Sequence, residues 1–357
     1  MAGEFAARSG AKVVVIDRKK EIGTPVRCAE GLGYPSFKLL GLDTKSGFVM
    51  NKVNKAVLIS PSNKKLTIDV PYEEFSLFIL DRADFEKHLA LRFSKASGKI
   101  LLDTSVIGLK KKSGAVQGLL TTKGEISAKV IIGADGVESK IGRWAQLTKR
   151  LRLNEIFTCA QHQLIDMQGV DDHFEIYFGS KYSPSGYAWM FPKGQGDANL
   201  GLGVLASTKQ RPVKLLAKFK HDRAKDAHST RMVFGCIPST LPPQKTVKDN
   251  VILVGDSARQ TNSVSGGGIA NGIICGKIAG EVCGRYIVEK KPLSYLQNYE
   301  LLWREKLEGT LVKKRRQRQY LESDSKAEKM VRIMKIVAKL KPIIPKSIII
   351  RWLSPAF

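Results

Sequence analysis

From Gly3 the chain reads as short apolar runs punctuated by glycine turns. GEFAARSG at 3–10 is rich in small, helix-favouring residues and closes on Gly10. The AKVVVID run after it is apolar at successive positions from Val13 to Ile16, the pattern of a parallel strand covered on both faces. AVLISPS, KLTIDV and FSLFIL alternate and predict strands through 56–80, and DRADFEKHLALRFSKASG predicts a helix. LLDTSVIGLKKK, followed by AVQGLLTTKGEISAKVIIGADG, reads as strand, hairpin, strand. IFTCAQHQL, HFEIYFG, GYAWMFP and ANLGLGVL within 151–245 predict an antiparallel sheet. NVILVGD at 250–256 is a third buried strand, leading into the glycine-led helix of SVSGGGIANGIICGKIAGEVCGRYI.

This order predicts the α/β class. A Rossmann-like nucleotide-binding domain is drawn from 1–55, 80–150 and 246–295, and an antiparallel β-rich domain from 56–79 and 151–245 is inserted into it. A basic helical region occupies 296–357. No internal repeat is visible.

Composition narrows the function classes. With 43% apolar and 26% charged residues over 357 positions, the chain is globular rather than disordered. Its five cysteines, Cys28, Cys159, Cys236, Cys275 and Cys283, are odd in number and never form a CxxC pair, which argues against a disulfide framework or a zinc site and for a reducing, cytoplasmic setting. No metal site is expected, since His88, His162, His173, His221 and His228 include no HExxH pair. GIICGK at 272–277 is one spacer short of a phosphate loop, and no G-x-S-x-G elbow is present. No run reaches the roughly 18 apolar residues of a membrane span, and no secretory leader is expected.

Charge adds a partner. The chain carries 59 basic and 33 acidic residues, a net +26, and the 57 residues from 301 onward contain 15 basic against 5 acidic. KKRRQR at 313–318 and the later IMKIVAKLKPIIPKSIIIRWL mix cations with isoleucine, leucine and tryptophan, which suits an anionic bilayer surface; a solvated basic helix is the plainer alternative. No nucleic-acid fold or patterned basic and aromatic surface supports nucleic-acid binding.

Three glycine turns follow one another: Gly3 before a helix, GADGVES at 133–139, and VGDSARQTNSVSGGG at 254–268. Glycine lets backbone approach phosphate, and a helix N-terminus offers free N–H groups to an anion. Gly3 fits the last glycine of G-x-G-x-x-G, with Asp17 as the acidic residue that receives a ribose hydroxyl. On that reading, the first strand and first two glycines are expected before Met1, so the domain lacks its first strand.

The set resembles the flavoprotein hydroxylase superfamily. Asp135 and Gly136 match its DG motif, Gly255 and Asp256 its GD motif, and Ser265 with Gly266, Gly267, Gly268 and Ile269 its segment at the pyrophosphate and flavin edge. Arg82 in DRADFEKHLA resembles the family's helix-start arginine; alone it reads equally as a solvated helix-end charge. GTPVRCAEG at 23–31 and PSGYAWMFP at 184–192 are similar to geranylgeranyl reductases, particularly the archaeal digeranylgeranylglycerophospholipid reductases. The resemblance implies FAD as cofactor, Arg27 and Cys28 near the flavin, an isoprenoid lipid substrate, a peripheral place at the membrane, and an external electron donor that it does not identify. Tyr187, Trp189 and Phe191 alternate along one strand and would line an apolar wall, or simply pack a core. Cys28 would be either a proton source beside the reacting alkene or a small apolar filler. A flavin monooxygenase acting on another isoprenoid, and a non-catalytic homologue, stay as alternatives.

Overall fold

The computed structural model describes residues 1–69, 76–170 and 172–339. In chain order the elements begin with α1 (Ala2–Arg8), β1 (Val14–Ile16), β2 (Gly31–Gly33), α2 (Tyr34–Leu40), β3 (Val49–Val53), β4 (Lys55–Ile59), β5 (Lys65–Asp69), β6 (Leu77–Leu80) and α3 (Arg82–Lys95). They continue with β7 (Lys99–Leu101), β8 (Val106–Lys112), β9 (Ala115–Thr121), β10 (Gly124–Ser127), β11 (Ile131–Gly133), α4 (Lys140–Trp144), β12 (Ile156–Ile165), β13 (His173–Phe178), β14 (Tyr187–Gly194) and β15 (Asp197–Leu205). The remainder are α5 (Pro212–Arg223), β16 (His228–Pro238), β17 (Val247–Lys248), β18 (Val251–Leu253), α6 (Ile269–Val288), α7 (Gln297–Trp303), α8 (Gly309–Gln317) and α9 (Asp324–Lys339).

Outside the large sheet, parallel pairing joins short strands. β1 lies along β7, and β11 lies along β18 with β17 beyond it. Helix α6 packs against α1 through a stripe of Gly276, Gly280 and Gly284, four residues apart and therefore on one face. A Cβ at Gly280 would fall 2.4 Å from the Ala2 carbonyl and one at Gly284 2.5 Å from the Ser9 Cβ, so only glycine permits this approach. Helix α3 is capped by Asp81, whose carboxylate accepts the Asp84 N–H at 3.0 Å.

The second layer is a seven-stranded sheet in the order β16-β12-β15-β14-β13-β4-β5. Its period of two sorts the side chains. Ala188, Met190, Leu200, Leu202 and Val204 enter a fully buried cluster with Leu216 and Phe219 of α5. Trp189, Tyr187 and Phe191 take the opposite face, in a cluster with Val53, Leu66, Ile68 and Leu77 that Val331 and Met334 of α9 close over. The three-stranded sheet β2-β6-β3 borders this second cluster.

Several expectations change. Val14 and Val15 are 37% and 38% exposed, so β1 is not covered on both faces; among the described residues its one strand neighbour is β7. The sheet of 151–245 is not purely antiparallel, because β13 pairs with β4 in parallel. That span also contains the helix α5, whose Leu216 and Phe219 sit three apart on one buried face. KKRRQR is not a continuous solvated face, since Lys314 and Arg318 are only 4% and 5% exposed, and burial pushes the Lys314 ammonium down to about 8. Residues 70–75 of the expected strand region and 340–357 of the basic tail lie outside the described residues.

Candidate functional site

β18 delivers the chain to Gly255, in the left-handed region at φ +64, and so to Asp256. Three contacts fix this turn. The Gly255 N–H donates to Gln260 Oε1 at 2.8 Å, the Gln260 amide donates to Tyr299 OH at 3.0 Å, and Ser257 Oγ donates to the Gly133 carbonyl at 2.6 Å. The last contact joins the GD turn to the DG turn across the paired strands β11 and β18. Asp256 Oδ1 accepts from Thr261 Oγ1 at 2.6 Å. Burial pushes the Asp256 carboxyl up, and the Thr261 hydrogen bond and the Arg82 charge pull against it.

The segment 262–268 forms a glycine cradle. Asn262 Oδ1 accepts the N–H groups of Val264 and Ser265 at 2.9 and 3.2 Å, and Gly266 follows at φ +68. A Cβ on Gly268 would meet Asp256 Oδ1 at 3.0 Å. The 20-residue helix α6 begins at Ile269 with no side chain capping its N-terminus, which leaves backbone donors and the positive end of its dipole at the cradle. Gly266, Gly267, Gly268, Ile269 and Asp256 thus sit together.

The other predicted nucleotide residues lie in the parallel layer. A Cβ on Gly3 would meet Phe93 at 3.0 Å and Val15 at 3.1 Å, so Gly3 serves close packing of α1 on α3 and β1. Asp17 ends β1 and accepts the Lys19 N–H at 3.0 Å. Asp135, though exposed, folds back on its own loop, accepting Ser139 Oγ at 2.6 Å and the Ile141 N–H at 2.9 Å, so it holds α4; Gly136 beside it has φ +78.

Cys28 lies in a loop tied to the seven-stranded sheet. Gln161 of β12 donates its amide to the Cys28 carbonyl at 3.1 Å and accepts the Trp189 indole N–H at 3.0 Å, so a single side chain couples the cysteine loop to the aromatic wall. Glu30, 1% exposed and at φ +73, anchors the other end: it accepts Lys193 Nζ at 2.8 Å, Asn199 Nδ2 at 2.7 Å and the Arg82 N–H at 3.0 Å, and its own N–H donates to Cys28 Sγ at 3.2 Å. The half-buried Cys28 thiol is pushed up by burial, against a smaller pull from the Arg82 charge. Arg82 therefore acts electrostatically on Cys28 and on Asp256 alike, while its guanidinium pairs with Glu86 at 2.9 Å. Arg27 is exposed, and its carbonyl lies near Gly235 of β16.

The wall is continuous with the cradle. Tyr187 OH donates to the Ser265 carbonyl and would lie 4.0 Å from a Cβ on Gly266. Tyr187 and Trp189 ring centroids are 5.7 Å apart, Trp189 and Phe191 6.4 Å, and Phe191 meets Phe174 edge-on at 5.8 Å. The structure thus brings Cys28, Arg82, Asp256, the glycine cradle and the aromatic wall together. Gly3, Asp17 and Asp135 stand apart, with no hydrogen bond to that group among the described residues. Gln161, Glu30, Lys193 and Asn199 were missed; a polar residue inside an otherwise apolar strand pattern was the signal for Gln161, Lys193 and Asn199, and Glu30, in the loop before β2, had none.

These features fit a flavin nucleotide: a half-buried carboxylate with a second oxygen, an uncapped helix N-terminus and three adjoining glycines suit hydroxyl and phosphate groups. Residues 155–237 match the family model of the geranylgeranyl reductase catalytic domain. The chain is 39% identical over 318 residues to the digeranylgeranylglycerophospholipid reductase of Methanothrix thermoacetophila, covering 86% of this chain and 80% of that one. The crystal structure of a geranylgeranyl bacteriochlorophyll reductase-like protein from Thermoplasma acidophilum superposes with a TM-score of 0.87 at 30% identity, over 100% of this chain and 96% of that one. A probable FAD-dependent monooxygenase from Pseudomonas aeruginosa, 15% identical, shares the fold with a TM-score of 0.70 over 91% and 94% of the two chains. The chain belongs to the geranylgeranyl reductase family, among the digeranylgeranylglycerophospholipid reductases.

Proposed function

We propose that this chain uses FAD to saturate the isolated double bonds of geranylgeranyl chains carried by an archaeal ether phospholipid, which it meets at a membrane surface. When bound, reduced FAD supplies the hydride for the alkene. Asp256, Gly266, Gly267, Gly268 and the first turn of α6 would hold the flavin nucleotide, and Gly3 and Asp17 its adenosine half. Tyr187, Trp189 and Phe191 would line the apolar chain and keep water from it. An isoprenoid offers few polar handles, so an unbroken aromatic face suits it.

One observation carries the reading: Gln161 bridges Cys28 and Trp189, holding the thiol loop and the apolar wall in one fixed relation. Cys28 would deliver the proton that completes the reduction. Burial favours its protonated form, which suits a donor at neutral pH. Mass spectrometry of the lipid after anaerobic turnover tests the proposal. Saturated chains gaining two hydrogens per alkene are expected; unchanged chains there, with oxygen consumption and a hydroxylated product in a parallel aerobic reaction, would overturn it in favour of a monooxygenase. Cys28→Ala is expected to keep the flavin absorption bands and lose turnover by about 100-fold or more, the usual range for a lost acid catalyst; full activity would remove the thiol from the mechanism.

A further inference from the structure

We propose that the outer face of α9 is a docking surface for the anionic headgroup plane of a lipid bilayer. The helix divides cleanly around its axis. Ala327, Val331 and Met334 are buried, and Val331 and Met334 roof the cluster that contains Trp189 and Phe191. Its acids are spent on the protein: Asp324 accepts the Ser180 N–H and Oγ, both at 2.7 Å, and Glu328 accepts Ser62 Oγ at 2.9 Å and the Ser62 N–H at 3.2 Å. Lys326, Lys329, Arg332 and Lys335 are exposed and, at 100° per residue, span the whole remaining half of the helix, with Ile336 54% exposed among them. Lys326 pairs with Glu322 at 2.9 Å; Lys329, Arg332 and Lys335 make no ion pair among the described residues.

A face whose Lys329, Arg332 and Lys335 make no ion pair among the described residues, and whose acids Asp324 and Glu328 are held in hydrogen bonds to Ser180 and Ser62, is complementary to a negative plane. The side chains underneath it belong to the apolar wall, so docking here sets that wall against the bilayer. Lys314 and Arg318, being buried, cannot do this work. The inference rests on the proposed function only in choosing a lipid surface rather than another polyanion.

Sedimentation with vesicles of phosphatidylcholine, alone or mixed with phosphatidylglycerol, tests it on the full chain. Wild type is expected to bind the mixed vesicles, less so as salt rises. Each cation near an anionic leaflet contributes roughly fivefold in partitioning, so the triple variant Lys329→Gln, Arg332→Gln, Lys335→Gln is expected to bind on the order of 100-fold more weakly. Its thermal midpoint and its turnover of detergent-dispersed lipid should stay as in wild type. A control triple on α5 and the turn after it, across the sheet, Lys214→Gln, Lys218→Gln, Lys225→Gln, removes the same charge and should bind like wild type. Equal losses in both triples, an α9 triple that binds like wild type, or a wild type indifferent to phosphatidylglycerol would overturn the proposal. The binding readout needs no turnover, so failure of the reductase reading and failure of the docking face are separately visible.

Discussion

Gly201→Ala tests whether the aromatic wall and the cysteine loop are one mechanical unit. Gly201 lies on β15 directly beneath Trp189. An added Cβ would fall 2.4 Å from Cζ2, 2.6 Å from Cε2 and 2.9 Å from Nε1 of that indole. Ordinary carbon contacts need about 3.5 Å, so the indole must move by roughly 1 Å. Trp189 is only 6% exposed and packs in a closed cluster, so it cannot simply swing into solvent. Overpacking of this kind costs about 1–3 kcal/mol, and losing the Gln161 hydrogen bond adds about 1 kcal/mol. Replacing a strand glycine returns about 0.5–1 kcal/mol, for a net cost of about 1–3 kcal/mol. At ~2–4 °C per kcal/mol, the melting midpoint should fall by about 2–12 °C. Turnover should fall further, on the order of 100-fold, because the displaced Gln161 also carries the Cys28 carbonyl and a 1 Å misplacement has that scale of effect. Thermal melts, tryptophan emission and lipid turnover read the three quantities, with flavin absorbance confirming a retained cofactor. Gly309→Ala, where nothing lies within 4 Å, serves as the control. Wild-type melting and turnover in Gly201→Ala would show that Trp189 is not pinned between Gly201 and Gln161.

Lys193→Met removes the cation from a buried pair, Lys193 being 14% and Glu30 1% exposed; urea unfolding should show a loss of about 3 kcal/mol, much of it recovered when Glu30→Gln is added. Equal losses in the single and double variants would mean that Asn199 and the Arg82 N–H, not Lys193, hold Glu30. Burial pushes the thiols of Cys159, Cys275 and Cys283 each up to about 12 from an ordinary value of 9.0. Between those values the unfolded chain binds fewer protons than the folded one, so stability is whole below pH 9 and declines as pH rises toward 12. Urea midpoints across that window should show a decline that Cys275→Ala makes shallower, and an identical slope in the variant would discount that thiol.

Local chemistry made much of the fold readable. Asp81 announces α3 because a short carboxylate before a helical run caps it, and the alternation of KLTIDV became β5 with Leu66 and Ile68 buried. The cradle was equally legible, since adjoining glycines before an apolar helix leave few other uses. The departures are of another kind. Val13 to Ile16 reads as a strand buried on both faces, yet coverage depends on what lies beside it. KKRRQR reads as a charged face, yet Lys314 and Arg318 fall on the inward side of α8 and the turn after it. Gln161 is one amide in a strand, and nothing near it in the chain announces Cys28 or Trp189, which lie 133 and 28 residues away.

The sequence alone determined the α/β class, the three glycine turns, the alternating Tyr187, Trp189 and Phe191, and the family, because each depends on residues within a few positions of one another. Tertiary structure decided the rest. It placed Arg82 within electrostatic reach of both Cys28 and Asp256, joined β4 to β13, bent Asp135 back to hold α4, and laid α9 over the aromatic wall with its cations outward. Those relations come from packing between segments far apart in the chain, where the partner that buries, pairs or exposes a side chain has no fixed spacing from it.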